Sequence, residues 1–103
     1  MQKYRVMIHG QNLLAQVEGV QWRLGFYTNV FVEAFTPSDA EKRAIDLLRE
    51  DARLCDISIN PVADPLRLTA DEVHEVQSFD GVRFPRQGLS LYEEDPNDTE
   101  RKA

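Results

Sequence analysis

The sequence contains little cysteine and no long apolar run, and both absences narrow the class of protein. Cys55 is the only cysteine among 103 residues, so no disulfide can form within the chain. A reducing cytosol is the simplest environment for such a chain. No stretch approaches the ~18 apolar residues of a membrane span. Met1 to Arg5 lead into a strand pattern rather than the apolar core of a signal peptide. These features predict a cytoplasmic protein.

Basic residues are also scarce, with 12 Lys and Arg against 18 Asp and Glu and a net charge of −6. Affinity for nucleic acids and anionic membranes depends largely on Lys and Arg, so neither is an expected partner. The length suits one domain, which we assign to residues 1–92. Residues 93–103 carry five acids against two bases and no apolar anchor, which predicts a disordered acidic tail.

Three strands are predicted in the first third of the chain. Residues 4–9 and 13–17 alternate apolar and polar side chains, and residues 10–12 between them have the composition of a turn. A connection over 19–24 leads to a third strand at 25–35. Because these links are short, the strands are expected to form an antiparallel meander.

A helix is predicted from 37 to about 51. Thr36 is a good N-cap, Pro37 suits the first turn, and Asp39 places negative charge at the positive end of the helix dipole. One apolar stripe repeats with helical spacing and consists of Ala40, Ala44, Ile45, Leu47 and Leu48.

The rest of the chain predicts further strands. Residues 55–59 alternate as a fourth strand, and 89–92 form a short strand or an ordered arm. Between them, 66–78 is interpreted as a long strand with a bulge near 70–72, and the alternative is a short helix over 69–76 capped by Thr69. The predicted fold is α+β: strand-strand-strand-helix-strand-strand in a mainly antiparallel sheet, with one long helix on one face.

The third strand is apolar on both faces, and one helix can cover only one of them. Tyr27, Phe31 and Phe35 share the second face. This face is expected to pack on another protomer or under residues 79–92. We predict a homodimer with these three residues at its interface, so Phe31→Glu is expected to separate the subunits and leave a folded monomer.

The same strand also permits a binding function. An aromatic face can act as a platform for bases or another flat ligand. The segment Arg23 to Phe35 resembles the basic-Gly-aromatic-Val-aromatic signature of RNA recognition motifs over one strand.

Reactive side chains are few. Glu72 and His74 share a strand face and could bind a divalent metal or act as a general acid/base pair, or they could be polar residues that protect a sheet edge. A nucleophilic pair of His9 and Cys55 would require the two to be adjacent in space. We expect no catalytic residue, no metal and no cofactor.

The segment Val32 to Glu41 carries a resemblance to a known family, since a strand ends there in an Ala-containing helix that opens with Thr and acids. It is similar to HicB-type antitoxin domains. The strand with Gly-Phe-Tyr-Thr and Val-Glu-Ala, and the Ser-Phe-Asp-Gly-Val turn, also resemble small bacterial proteins without an assigned activity. The first resemblance implies an antitoxin or immunity-type inhibitor whose acidic surface meets a basic protein partner.

These observations predict a non-catalytic interaction or regulatory module that self-associates through a sheet face. The alternatives are the acidic inhibitor of a basic partner and a metal-binding or enzymatic protein that uses His74 with Glu72.

Overall fold

The computed structural model describes residues 1–94, which form a four-stranded antiparallel sheet and two helices. The sheet order is β3-β1-β2-β4. This architecture confirms the α+β class and the mainly antiparallel sheet. The elements in chain order are β1 (Gln2–Val17), β2 (Val20–Ala34), α1 (Pro37–Arg49), α2 (Ala52–Ile57), β3 (Arg67–Val76) and β4 (Ser90–Glu93).

The predicted strands at 4–9 and 13–17 are one strand, β1, and the turn predicted between them is wrong. Gly10 pairs with Phe26 and Leu13 with Leu24, so two residues of β1 face one residue of β2 in a bulge. Asn12 in this bulge adopts the left-handed conformation with φ 62°. Because Gly and Asn favour both bulges and turns, the composition alone does not distinguish the two.

The connection predicted over 19–24 is also wrong, because β2 already begins at Val20. Glu18 and Gly19 form the whole connection, with φ values of 52° and 78°. Two successive residues with positive φ give a tight hairpin turn whose twist matches that of the strands. The result is one long β1–β2 hairpin that forms the centre of the sheet.

One face of the sheet is covered by the helices. Thr36 caps α1 as predicted, and its hydroxyl oxygen accepts a hydrogen bond from the Asp39 amide at 3.1 Å. Leu47 is exposed despite its place in the predicted stripe. The buried core lies between α1 and alternate residues of the central strands, and it includes Ala40, Ala44, Leu48, Val6, Ile8, Val30 and Val32.

The fourth strand predicted at 55–59 is wrong, because this region contains α2. The Asp51 carboxylate accepts a hydrogen bond from the Leu54 amide at 3.0 Å and caps the helix. Leu54 is buried and Cys55 is exposed. In six residues with one buried position, helical and strand periodicity are indistinguishable, and the cap decides in favour of the helix.

The interpretation of 66–78 as a strand with a bulge is confirmed by β3. Met7 pairs with Glu72 and Ile8 with Ala70, so Asp71 is the extra residue. The bulge accounts for the change of phase in the apolar pattern.

The chain then crosses the sheet to its other edge. Residues 79–94, which we name the strap, pack first against Phe31 and then along β2, where Ser90–Glu93 form β4. The predicted tail, 93–103, overlaps β4 at Glu93, and residues 95–103 lie outside the described part of the chain. Within residues 1–94, no helix is both long and apolar enough to cross a membrane.

Candidate interaction face

The sheet face opposite the helices, which we name the open face, carries the side chains that the core does not use. It is formed by the alternate positions of β1 and β2, where Arg5 pairs with Phe31, Met7 with Asn29, and His9 with Tyr27. The strap crosses part of this face. The open face is therefore mixed, with aromatic, polar and charged groups.

A row of aromatic rings leads from the interior to the surface. The Phe31 ring lies 5.9 Å from that of Phe79, and the Phe79 ring lies 5.2 Å from that of Phe84. Phe31 is 3% exposed, whereas Phe84 is 59% exposed. The strap of the same chain thus covers Phe31, which is one of the two packings that the sequence left open, and its outermost ring remains in solvent.

The three residues predicted for the interface are in different environments. Tyr27 is 39% exposed and its ring stacks on His9 at 4.3 Å, while Phe35 follows the end of β2 and is 69% exposed. Phe31 belongs to the buried end of the aromatic row. Tyr27 and Phe35 are therefore exposed to solvent, as is Phe84.

His9 lies between two polar side chains. Its Nε2 atom is 2.6 Å from the Tyr92 hydroxyl oxygen, and its Nδ1 atom is 3.9 Å from a carboxylate oxygen of Asp71. The bulge in β3 positions Asp71, and β4 positions Tyr92. A carboxylate, an imidazole and a hydroxyl in sequence form a polar chain that fixes the orientation of the ring. In this fold, the row of three polar groups also joins the strap to β1.

Arg86 attaches the strap to the helical side of the molecule. Its Nε and Nη2 atoms lie 2.7 and 3.1 Å from the two carboxylate oxygens of Asp51. The side chains of Arg86 and Asp51 are only 13% and 20% exposed. The Arg86 hydrogen bonds hold the pKa of Asp51 below its ordinary value of 3.8, burial opposes this shift, and the Leu54 amide reinforces it.

Asn12 is the third point of attachment and is buried. Its backbone N–H lies 3.2 Å from both carboxylate oxygens of Glu94, the last described residue of the strap. Its side-chain amide donates to Asp64 at 2.8 Å and accepts from Arg23. Asn60 donates to the Asn12 carbonyl oxygen at 2.8 Å. The bulge thereby connects the strap with the loop between α2 and β3.

Of the two remaining pairs of sequence candidates, Glu72 and His74 come together, whereas His9 and Cys55 do not. The His74 Nε2 atom lies 3.2 Å from a Glu72 carboxylate oxygen on the exposed edge strand, and within residues 1–94 no group of three metal-binding side chains is found. His9 lies on the open face, whereas Cys55 lies in α2 on the helical side. The structure does not bring these two together as a nucleophilic pair.

A shallow groove beside α2 was not predicted from the sequence. Its volume is about 280 Å³, and its wall includes Leu48, Leu54, Pro65, Leu66, Leu68 and the exposed Cys55. The Cys55 thiol lies 3.4 Å from the Arg49 carbonyl oxygen. The loop residues of this groove have no periodic pattern, so the sequence carries no signal for it.

The sequence placed residues 79–92 over this face as one possibility, but it did not identify Phe79 and Phe84 as the aromatic contacts or Arg86 as the attachment to Asp51. A weak signal exists, since two phenylalanines in a segment rich in polar residues need an apolar surface to contact. The partner of Arg86 is 35 residues away and leaves no local pattern.

These features define a class of protein: a small α+β domain with helices on one sheet face and a C-terminal strap across the other. Comparison with known proteins adds no family, because no family model, no curated protein and no solved structure matches the chain. The resemblance to HicB-type domains stays a prediction.

Proposed function

We propose that the protein is a cytoplasmic, non-catalytic interaction module that forms a homodimer through its open face. The aromatic row carries this proposal, because Phe84 extends it into solvent at 59% exposure while Phe35 is 69% exposed. Large apolar side chains that remain exposed on one face are typical of protein interaction sites. Tyr27 adds a third aromatic ring at 39% exposure.

The charges of the open face suit a second copy of the same chain. Arg5 on β1 and Glu33 on β2 are both exposed, and neither joins an ion pair within residues 1–94. In a two-fold dimer the same surface meets itself, so Arg5 of one copy can lie over Glu33 of the other. Such pairing fixes the orientation of the two faces, and the aromatic groups supply the affinity.

The edge of β3 is a poorer surface for association. It carries a bulge and the charged residues Asp71, Glu72 and Glu75. Bulges and charges on an edge strand discourage pairing with another chain. We therefore assign the dimer to the face rather than to this edge.

The test is Phe84→Ser, measured by native mass spectrometry and by light scattering over a range of concentrations. The wild-type chain is expected to be a dimer, and the variant is expected to weaken it at least ~10-fold, which corresponds to ~1.4 kcal/mol. Trp22→Ser is the matched control, because Trp22 is an exposed aromatic residue opposite Ala15, on the helical side of the sheet. A wild-type monomer, or an unchanged dimer in the folded Phe84→Ser variant, would contradict the proposal.

Phe31→Glu is a less direct test than the sequence suggested. Phe31 is buried under Phe79, so a charge there destabilises the fold as well as any interface. Phe35→Ser is the better second variant, because Phe35 is exposed.

A further inference from the structure

The strap binds the sheet of its own chain through contacts that a second copy could supply equally well. Its backbone pairs with the outer edge of β2 in two places: the Phe31 amide donates to Pro85 at 2.8 Å, and the Gln87 amide donates to Asn29 at 2.9 Å. Beyond these, β4 pairs with Leu24–Tyr27. Within residues 1–94, the strap is thus the whole second neighbour of β2.

We propose that the dimer exchanges the paired part of its straps, so that residues 85–94 of each copy lie on β2 of the other. This inference rests on the proposed self-association and names the element that each copy contributes. Exchange retains every contact of the strap and adds the burial of the exposed aromatic groups.

The hinge for this exchange is the segment from 77 to 84. β3 and β4 lie at opposite edges of the sheet, so the chain must cross two strands, a width of ~14 Å. Eight residues can span ~26 Å when extended. Gly81 has a φ of 77° and no atom within 4 Å of the place where a Cβ would stand, so the turn there is unpacked. The crossing segment therefore has the length to reach a neighbouring copy.

Release of the strap from β2 exposes little apolar surface to solvent, apart from one contact. All four residues of β4 are exposed, so backbone hydrogen bonds rather than side-chain burial hold this strand. Elements held in this way open locally at a lower free energy than the core. The exception is Leu89, which packs against the core. In the exchanged dimer, Leu89 of the second copy takes its place, and Phe79, which lies in the crossing segment, stays on Phe31 of its own chain.

The contacts of the strap select its own sequence as the occupant. The Arg86 guanidinium binds both carboxylate oxygens of Asp51, and the Glu94 carboxylate accepts from the Asn12 amide. The Tyr92 ring occupies the space above Gly25 where any side chain at that position would stand. A strand of another sequence would leave Asp51 partly buried without a cation, which is costly. The partner that fits is a second copy of this chain.

A pair of engineered cysteines distinguishes the two arrangements. Asn29 and Gln87 lie opposite each other on β2 and the strap, with their side-chain amides 2.9 Å apart. Residues directly opposite in an antiparallel pair have Cα separations of ~5.5 Å, which a disulfide can bridge. The variant Asn29→Cys/Gln87→Cys, made with Cys55→Ser, is oxidised, and its dimer fraction is run on a denaturing, non-reducing gel. Exchange predicts that most of this fraction runs as a covalent dimer.

The control pair is Gln16→Cys/Gln21→Cys in the same Cys55→Ser background. These positions face each other within the β1–β2 hairpin, which the exchange leaves intact, so the product should run as a monomer. If the Asn29→Cys/Gln87→Cys variant is a dimer in native solution but also runs only as a monomer on the gel, the exchange is wrong. The proposed dimer through the open face is then unaffected. If native mass spectrometry finds only monomers, or a complex with a different protein, both proposals fail.

Discussion

At the scale of single residues, Gly10 shows how the absence of a side chain is used in this fold. The buried Phe26 ring lies on the Gly10 backbone, in the space that a Cβ at position 10 would occupy. The sequence suggested a turn glycine, yet this residue lies within β1. Its role is to admit the largest fully buried side chain of the core.

Gly10→Ala is therefore expected to lower the free energy of unfolding by about 1–3 kcal/mol, because the Phe26 ring must move within a closely packed core. Urea unfolding monitored by circular dichroism measures this. Gly88→Ala is the matched control, since a Cβ there meets nothing within 4 Å. Equal stability of both variants would show that the core can accommodate the methyl group.

A second residue-scale prediction concerns Asp51. Asn is also a good N-cap, so Asp51→Asn retains the cap of α2 and removes only the charge that binds Arg86. A hydrogen bond to a charged group contributes ~1.5–3 kcal/mol, and we expect a loss of that order at pH 7.

The pH dependence of this loss follows from the lowered pKa. A carboxyl group with a folded-state pKa below its ordinary 3.8 stabilises the fold above that pH, and the contribution disappears as the pH falls through the folded-state pKa. The difference in the free energy of unfolding between wild type and Asp51→Asn should thus reach its full size above pH ~5 and shrink below ~3.8. Asp56→Asn, an exposed change in α2, serves as the control. If the difference in the free energy of unfolding stays constant with pH, the Asp51 carboxylate is not the source of this stabilisation.

At the scale of elements, the strap is the part of the fold held mainly by polar contacts. Tyr92→Phe removes the hydroxyl that lies 2.6 Å from His9 and keeps the ring. A loss of ~1 kcal/mol in local stability should speed hydrogen exchange of the Gln87 amide roughly fivefold. Tyr27→Phe retains the stacked ring and should leave the exchange unchanged. Similar rates in all three proteins would mean that the His9–Tyr92 contact does not hold the strap.

Elements differed in how far the sequence predicted them. The α1 helix was predictable because Thr36, Pro37 and a long apolar stripe all favour a helix that begins at this point. The bulge in β3 was predictable from the change of phase near Asp71. The α2 helix was not, because its six residues owe their conformation to the Asp51 cap and to a buried Leu54.

At the scale of the whole molecule, the proposed dimer joins two chains that each carry a charge of −6. If aromatic burial drives association, raising NaCl from 0.1 to 0.5 M should leave the dimer unchanged or strengthen it slightly, because salt screens the repulsion. Sedimentation at both salt concentrations checks this. A dimer that weakens ~10-fold in high salt would instead rest on ion pairs between Arg5 and Glu33.

The sequence by itself determined the fold class, the main helix, the bulged strand and the two-sided apolar character of β2. These follow from local periodicity and caps, which act over a few residues. The tertiary structure alone decided that β1 is continuous and that the strap covers Phe31, and it set the partners of His9, Asn12 and Asp51. The contacts of His9 with Tyr92, of Asn12 with Glu94 and of Asp51 with Arg86 join residues 35 to 83 positions apart, and such pairings arise from topology rather than from any local pattern.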